Sequence, residues 1–319
     1  MPNTPLRIAT FNLENFDDGP ELPRRIAALR PLLVRADADV LLLQEVHSQG
    51  DGSRRNLSAL DALLEGTRYA GYEKASSTTA DGLYCHERNL VVVSRFAILE
   101  TKQHKNTLCP APMWRTITAD PKATAAREVE WERPILYCQL DLGRVLHVVN
   151  LHLKSKLPTP IAGQMQNQRT WKTVEGWAEG YFLSSVKRVG QALEVRMLLD
   201  RIFGAEPDAL VAVAGDFNAG SDDVPVRAIR GDVAETGNAD LCSQMLVPCE
   251  QSVPESSRYT LLHRGRGEMI DHLLVSRVLL PWYRGAEIYN EVLPDESVCE
   301  TPDSDHAPLV GVFAVPGGW

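Results

Sequence analysis

The chain lacks any apolar run long enough to cross a bilayer. ALVAVAG at 209–215 and DVLLLQEV at 39–46 are among its longest, and a spanning helix needs about 20 such residues. No leader is expected: MPNTPLRIATFNLENF has no basic segment followed by an apolar core, which points to a cytoplasmic location and no membrane insertion. It lacks a C-x-x-C pair. Cys85, Cys109, Cys138, Cys242, Cys249 and Cys299 are scattered, which predicts reduced thiols, not a zinc site. It also lacks an excess of positive charge. A net charge of −9 argues against coating nucleic acid through one continuous basic face. A nuclease stays open, because acidic metal ligands themselves add negative charge. Finally, no Pro/Gly/Ser-rich linker, low-complexity stretch or internal repeat divides the 319 residues, so 1–319 is expected to form one domain.

What is present is an alternation of short β-branched runs with amphipathic stretches. Strands are predicted at Leu6–Asn12, Val40–Gln44, Leu90–Ser94, Ile135–Asp141, Val145–Leu151, Leu210–Ala214, Met269–Val275 and Leu309–Val315. Several are apolar throughout, as strands covered on both faces are. The clearest helix is 184–203, where Val186, Val189, Leu193, Met197 and Ile202 recur at helical spacing between a serine pair and Gly204. A shorter one is predicted over Pro23–Arg35, with Pro31 expected to kink or end it. Segments 101–130 and 157–183 have little periodicity and read as long loop excursions.

Polar residues recur where these strands end. LHLKSK places His152 at the close of an apolar run, IATFNLENF ends on Asn12, and DVLLLQEV carries Glu45. ALVAVAGDFNA delivers Asp216 and Asn218, two apart and so on one face. EMIDHLLVS embeds Asp271 and His272, which point opposite ways on a strand, and SDHAPLV sets Asp305 and His306 before the last strand. Singly, each is most simply a turn former, a cap or a satisfied core group. Together they form an oxygen-rich set suited to a hard cation such as Mg²⁺ or Mn²⁺, with Ca²⁺ a further candidate. A histidine beside an aspartate adds an oriented base near neutral pH.

The order FNLENF, LLLQEV, NLHLKSK, GDFNA, MIDHLLVS and SDHAPLV resembles the endonuclease/exonuclease/phosphatase (DNase I-like) superfamily over nearly the whole chain. The resemblance implies an α/β fold, a four-layer αββα sandwich of two packed mixed β-sheets flanked by helices, with the cleft where strand ends converge. It implies that Glu45 is the principal metal ligand, with Asn12 and Asp305 beside it. Asp216 and Asn218 would position the attacking water and a phosphate oxygen. His306, oriented by Asp271, would contact the scissile phosphate. His152 would stand across that phosphate, paired with Glu87, and Arg133 would lie near the substrate phosphate. A histidine at 152 favours branches resembling DNase I, sphingomyelinases, inositol polyphosphate phosphatases and nocturnin-like deadenylases over the abasic-site repair branch.

The reaction expected is hydrolysis of a phosphoester by in-line attack of activated water, most simply by a phosphodiesterase acting as a nuclease. The alternatives are a phosphatase or phosphodiesterase for a small or lipid-derived phosphoester, and an inactive binding scaffold of the same fold. Arg258, Arg264 and Arg266 could flank the cleft, and TWKTVEGWAEGYFL at 170–183 could stack bases or cover an apolar leaving group.

Overall fold

The computed structural model describes residues 3–167, 169–295 and 304–317. Cys299 falls outside them; the other five cysteines are free thiols. Two six-stranded sheets form the centre. The first runs Tyr283–Ile288, Leu309–Pro316, Asn3–Phe16, Val40–Val46, Asn89–Ser94, Glu73–Ser76; the second runs Leu246–Pro248, Asp271–Ser276, Leu210–Asp216, Val145–His152, Ile135–Asp141, Ile98–His104. Both are mixed and share one pattern, a parallel central pair with antiparallel neighbours on either side.

The sheets pack face to face on Ile8, Leu42, Val92, Val148, Ala212, Leu273 and their neighbours. The alternate residues of the same strands face outward. Ala9, Phe11, Leu41 and Val91 meet Leu29 and Leu33 of helix Leu22–Ala36, while Val149, Val211 and Val213 meet Val195 and Leu199 of helix Val174–Ala205. Burial of both strand faces is why these runs are apolar at most positions on either side. The result is the expected αββα sandwich.

Along the facing surfaces polarity rises towards one end. After Ile8, Leu42 and Val148 come Thr10, Gln44 and Asn150, all buried. Gln44 Nε2 donates to Asn150 Oδ1 across the sheets at 2.8 Å, and Asn150 Nδ2 donates to the carbonyls of Leu43 and Val91, both at 3.0 Å. One step further lie Asn12, His152 and Asp216. This polar layer stitches the sheets together directly beneath the cleft.

Several elements differ from the sequence expectation, among them strands Glu73–Ser76, Leu246–Pro248 and Tyr283–Ile288, which it did not include. The long helix begins at Val174, not Ser184, with the Thr173 side chain capping Gly176 N at 3.0 Å. Ser184 is buried mid-helix and donates to Leu157 O at 2.7 Å, so the excursion from 157 ends at the cap. Segment 101–130 opens with edge strand Ile98–His104, hidden from the sequence by one solvent-facing side. Pro31 sits inside helix Leu22–Ala36 without ending it, because Leu29, Leu33 and Ala36 are all buried against the sheet.

Candidate active site

The C-terminal ends of the two parallel pairs meet at a cleft of about 580 Å³. Asn12, Glu45, Arg133, His152, Asp216, Asn218, Asp305 and His306 all line it. The backbone is bent to make this possible. Of eight non-glycine residues with positive φ among the described residues, five (Glu14, Asn15, Glu45, Arg88 and Asn218) line the cleft. Such conformations cost free energy and persist only where packing over-determines them. Pairing between the first two strands shifts between Asn12 and Phe16, and Glu45 Oε2 accepts from Asn15 N at 2.9 Å within that irregularity. Gly215 carries Asp216 into place at φ +144°; a Cβ there would stand 1.9 Å from Leu151 O, so no other residue fits.

Asp216 Oδ2 is the focus. It accepts from Asn12 Nδ2 at 3.2 Å and Asn218 Nδ2 at 3.0 Å, with His152 Nε2 3.2 Å and His306 Nε2 3.9 Å away. Asn218 N donates to Oδ1 at 2.8 Å. Burial, with repulsion from Asp271 and Glu45 outweighing what His306 and Asn218 restore, lifts the Asp216 carboxyl to about 7.

The two histidines differ in charge. Burial alone would depress His306, but the charge and hydrogen bond of Asp271, then Asp216 and Asp305, carry it well above the ordinary imidazole value. Its Nδ1 lies 2.7 Å from Asp271 Oδ2, as an imidazolium donor would. The remaining Nε2–H then faces the carboxylates of Asp305 at 3.7 Å and Asp216. His152 goes the other way: burial first, then the charges of Arg133, His306, Arg88 and Lys154, drive it well below the ordinary value. It is therefore a neutral ring, with its Nε2 3.2 Å from Asp216 Oδ2.

Glu87 does not pair with His152. Its side chain is 62% exposed and lies 3.8 Å from His86 Nδ1. Arg88, with φ +58°, turns the chain so that Arg88 faces the cleft and Glu87 faces solvent. His152 Nδ1 is buried without a hydrogen-bond partner among the described residues. His272 faces away from the cleft as its parity requires, bonded to Glu250 Oε1 at 2.6 Å and Ala219 O at 2.8 Å. Of the three arginines, Arg258 spends its guanidinium on Val253 O and Gln251 O, and Arg264 and Arg266 lie outside the cleft lining.

Two cleft residues escaped the sequence reading. Glu14, two places after Asn12, accepts from Asp305 N at 3.1 Å, and burial plus the Asp305 charge push it to about 7. Its spacing from Asn12 was a usable signal. Arg88 offered none. Arg133 is buried, and its Nη1 has no hydrogen-bond partner among the described residues, leaving a charged donor for a ligand.

Ligand atoms of Asp216, Asp271 and His306 lie within 4.8 Å of one another. Asp271 is committed to the imidazolium, however, and a cationic ring repels a second cation. Glu45, Asp305 and Asn12 offer oxygen donors, the kind of set a hard divalent ion takes.

The sequence matches the family model for the endonuclease/exonuclease/phosphatase family across residues 9–306. The chain belongs to the endonuclease/exonuclease/phosphatase family. Truncated TDP2 from Caenorhabditis elegans is similar over 98% of this chain and 98% of its own, at 17% identity and TM-score 0.59. The 3′ phosphatase NExo from Neisseria, solved with a product DNA hairpin, is similar over 97% and 99%, at 16% identity and TM-score 0.56. A family protein from Bacteroides thetaiotaomicron covers 99% and 97%, at 17% identity and TM-score 0.56. These likenesses establish the fold as DNase I-like. No curated protein matches by sequence. No helix among the described residues is long and apolar enough to cross a membrane.

Proposed function

We propose that this endonuclease/exonuclease/phosphatase family member is a divalent-metal-dependent phosphodiesterase, acting as a nuclease, in which Asp216 takes the proton of the attacking water. The observation that carries the reading is the convergence of His152, His306, Asn12 and Asn218 on one oxygen of Asp216. A carboxyl near 7 is a base matched to neutral pH. Asn12 and Asn218 hold its two oxygens in place, so that proton transfer needs no rearrangement.

Glu45, Asp305 and Asn12 would hold Mg²⁺ or Mn²⁺. Such an ion supplies Lewis-acid neutralisation of the phosphoryl oxygens and of the leaving alkoxide. The protein's own groups do the rest. The neutral His152 ring donates to a non-bridging oxygen, and the His306 imidazolium approaches as a fixed positive charge. Arg133 Nη1 adds a donor already stripped of water. Groups aimed at charge that builds up in the transition state lower the barrier without being reorganised during the reaction.

A cleft of about 580 Å³ also suits a small phosphoester, the second reading. The complete set of donors speaks against a scaffold without activity. The test is turnover in Mg²⁺, Mn²⁺ or Ca²⁺ of plasmid, single-stranded DNA, RNA, bis(p-nitrophenyl) phosphate and p-nitrophenyl phosphate. Cleavage of nucleic acid is the expected outcome. Rapid turnover of the aryl phosphates with nucleic acid untouched would replace it with the second reading.

A further inference from the structure

The first turns of helix Val174–Ala205 carry aromatic rings towards solvent. Trp177 and Tyr181, one turn apart, are 42% and 39% exposed and meet at 4.7 Å between ring centres. Large exposed aromatics beside a cleft lose free energy unless something covers them. Tyr181 lines the catalytic cleft together with Leu157, Lys154 and Lys156.

This wall is fixed rigidly to the catalytic strand. The segment leaving His152 is bonded to the helix on both sides of Tyr181: Thr159 N donates to Gly180 O at 2.9 Å, and Ser184 Oγ to Leu157 O at 2.7 Å. Arg188 Nη1 adds bonds to Lys154 O and Ser155 O at 3.0 and 2.9 Å. The approach is so close that a Cβ at Gly180 would lie 2.6 Å from Thr159 O. Glu179 anchors the opposite side by accepting from Trp114 Nε1, Ile117 N and Thr118 N. The backbone of Tyr181 therefore holds a set position relative to His152, its ring rests on Trp177, and Lys154 and Lys156, paired with Glu132 and Glu268, lie between them along the chain.

The geometry points to Tyr181, backed by Trp177, as a stacking wall for an unpaired nucleobase next to the scissile phosphate, which makes single-stranded nucleic acid the preferred substrate. The inference rests on the nuclease reading above. Aromatic faces alternating with cations are how single strands are held, because every base has a face to stack while the charges follow the backbone. A base inside a duplex has no free face to offer this ring.

The test is a double-mutant cycle. The kcat/KM of wild type, Tyr181→Ala and Tyr181→Phe is measured on a single strand (DNA or RNA, whichever the wild type cuts) and on the same strand made abasic around the cut. Tyr181→Ala should lose about fivefold to 150-fold on the intact strand, at least fivefold more than on the abasic strand, and Tyr181→Phe should retain the wild-type pattern. Wild type should itself prefer the intact strand to the abasic one. Equal losses on both strands, or no wild-type preference between them, would overturn the stacking wall and leave the nuclease reading standing. A wild type that cuts no nucleic acid would overturn both.

Discussion

His152 and His306 face one another across a single atom, with their Nε2 nitrogens 3.2 and 3.9 Å from Asp216 Oδ2. His152 ends a strand of the second sheet and His306 precedes the last strand of the first, and one ring is neutral where the other is charged. The neutral ring lies beneath a group of cations and the charged ring is clamped by Asp271. This asymmetry gives the site one hydrogen-bond donor and one fixed positive charge, with a titratable carboxylate between them.

Removing only the basicity of Asp216 should be severe. Asp216→Asn keeps the shape and the contact with Asn218 N, yet cannot accept a proton near neutral pH. We expect kcat to fall about 10²- to 10⁴-fold, with some loss of stability because the new Nδ2 faces the Asn12 and Asn218 amides. A kcat within a few-fold of wild type would move the base elsewhere.

His152 and Glu87 should separate cleanly. His152→Ala removes a donor aimed at the phosphoryl group and should lower kcat about 10²- to 10³-fold. Glu87→Gln changes an exposed side chain near His86 and should leave kcat within twofold of wild type. Comparable losses in the two variants would mean that Glu87 reaches the ring during turnover.

Asp271 sets the charge of His306, so its removal should appear in the pH profile. As an imidazolium clamp, His306 is active below its raised pKa and inactive above it. Asp271→Asn removes the largest influence that raises the value, so the alkaline limb of kcat/KM should move to lower pH. Imidazole titration followed by NMR should move in step, and a profile that stays in place would contradict the clamp.

Outside the cleft, His272 and Glu250 form a fully buried pair behind the GDFNA turn. Burial lowers the His272 pKa, but the charge and hydrogen bond of Glu250 outweigh it and leave the value raised. Its contribution to stability is therefore complete below about 6.5, the unfolded value, and is lost as pH rises through the folded one. Glu250→Ala should cost about 3–5 kcal/mol in denaturant melts and flatten that dependence. A variant as stable as wild type at pH 6 would rule the pair out as a structural element.

Glu194 should hold the 105–131 excursion in place. It is buried, and it accepts from Asn106 N, Thr107 N, Leu108 N and Trp131 Nε1 at 2.7–3.0 Å. Glu194→Ala should speed hydrogen exchange and proteolysis in that segment before the sheets open. Uniform destabilisation of the whole chain would show that the segment is not a separate unit.

The central strands were legible because both faces are buried, so Leu210–Asp216 is apolar to its last residue and Val145–His152 is apolar except at His147 and Asn150. Their polar ends then stood out against a clean background, which is why Asn12, Glu45, His152 and Asp216 could be read from sequence. Edge strands such as Glu73–Ser76 and Ile98–His104 bury one side and mix with loop composition. Glu87 and Arg88 mark another limit. Their roles depend on one residue adopting positive φ, and nothing in HERNLVVVS signals which of the two side chains turns inward. Contacts such as Arg188 with Lys154 O join distant parts of the chain and leave no trace in local pattern.

The most direct measurement is hydrolysis of one phosphodiester by wild type and Asp216→Asn, with chelator, then with Mg²⁺ or Mn²⁺ restored. The account predicts turnover that disappears with chelator, returns with the metal, and stays at least about 10²-fold lower in the variant throughout. Metal-independent turnover, or equal rates in the two proteins, would contradict it.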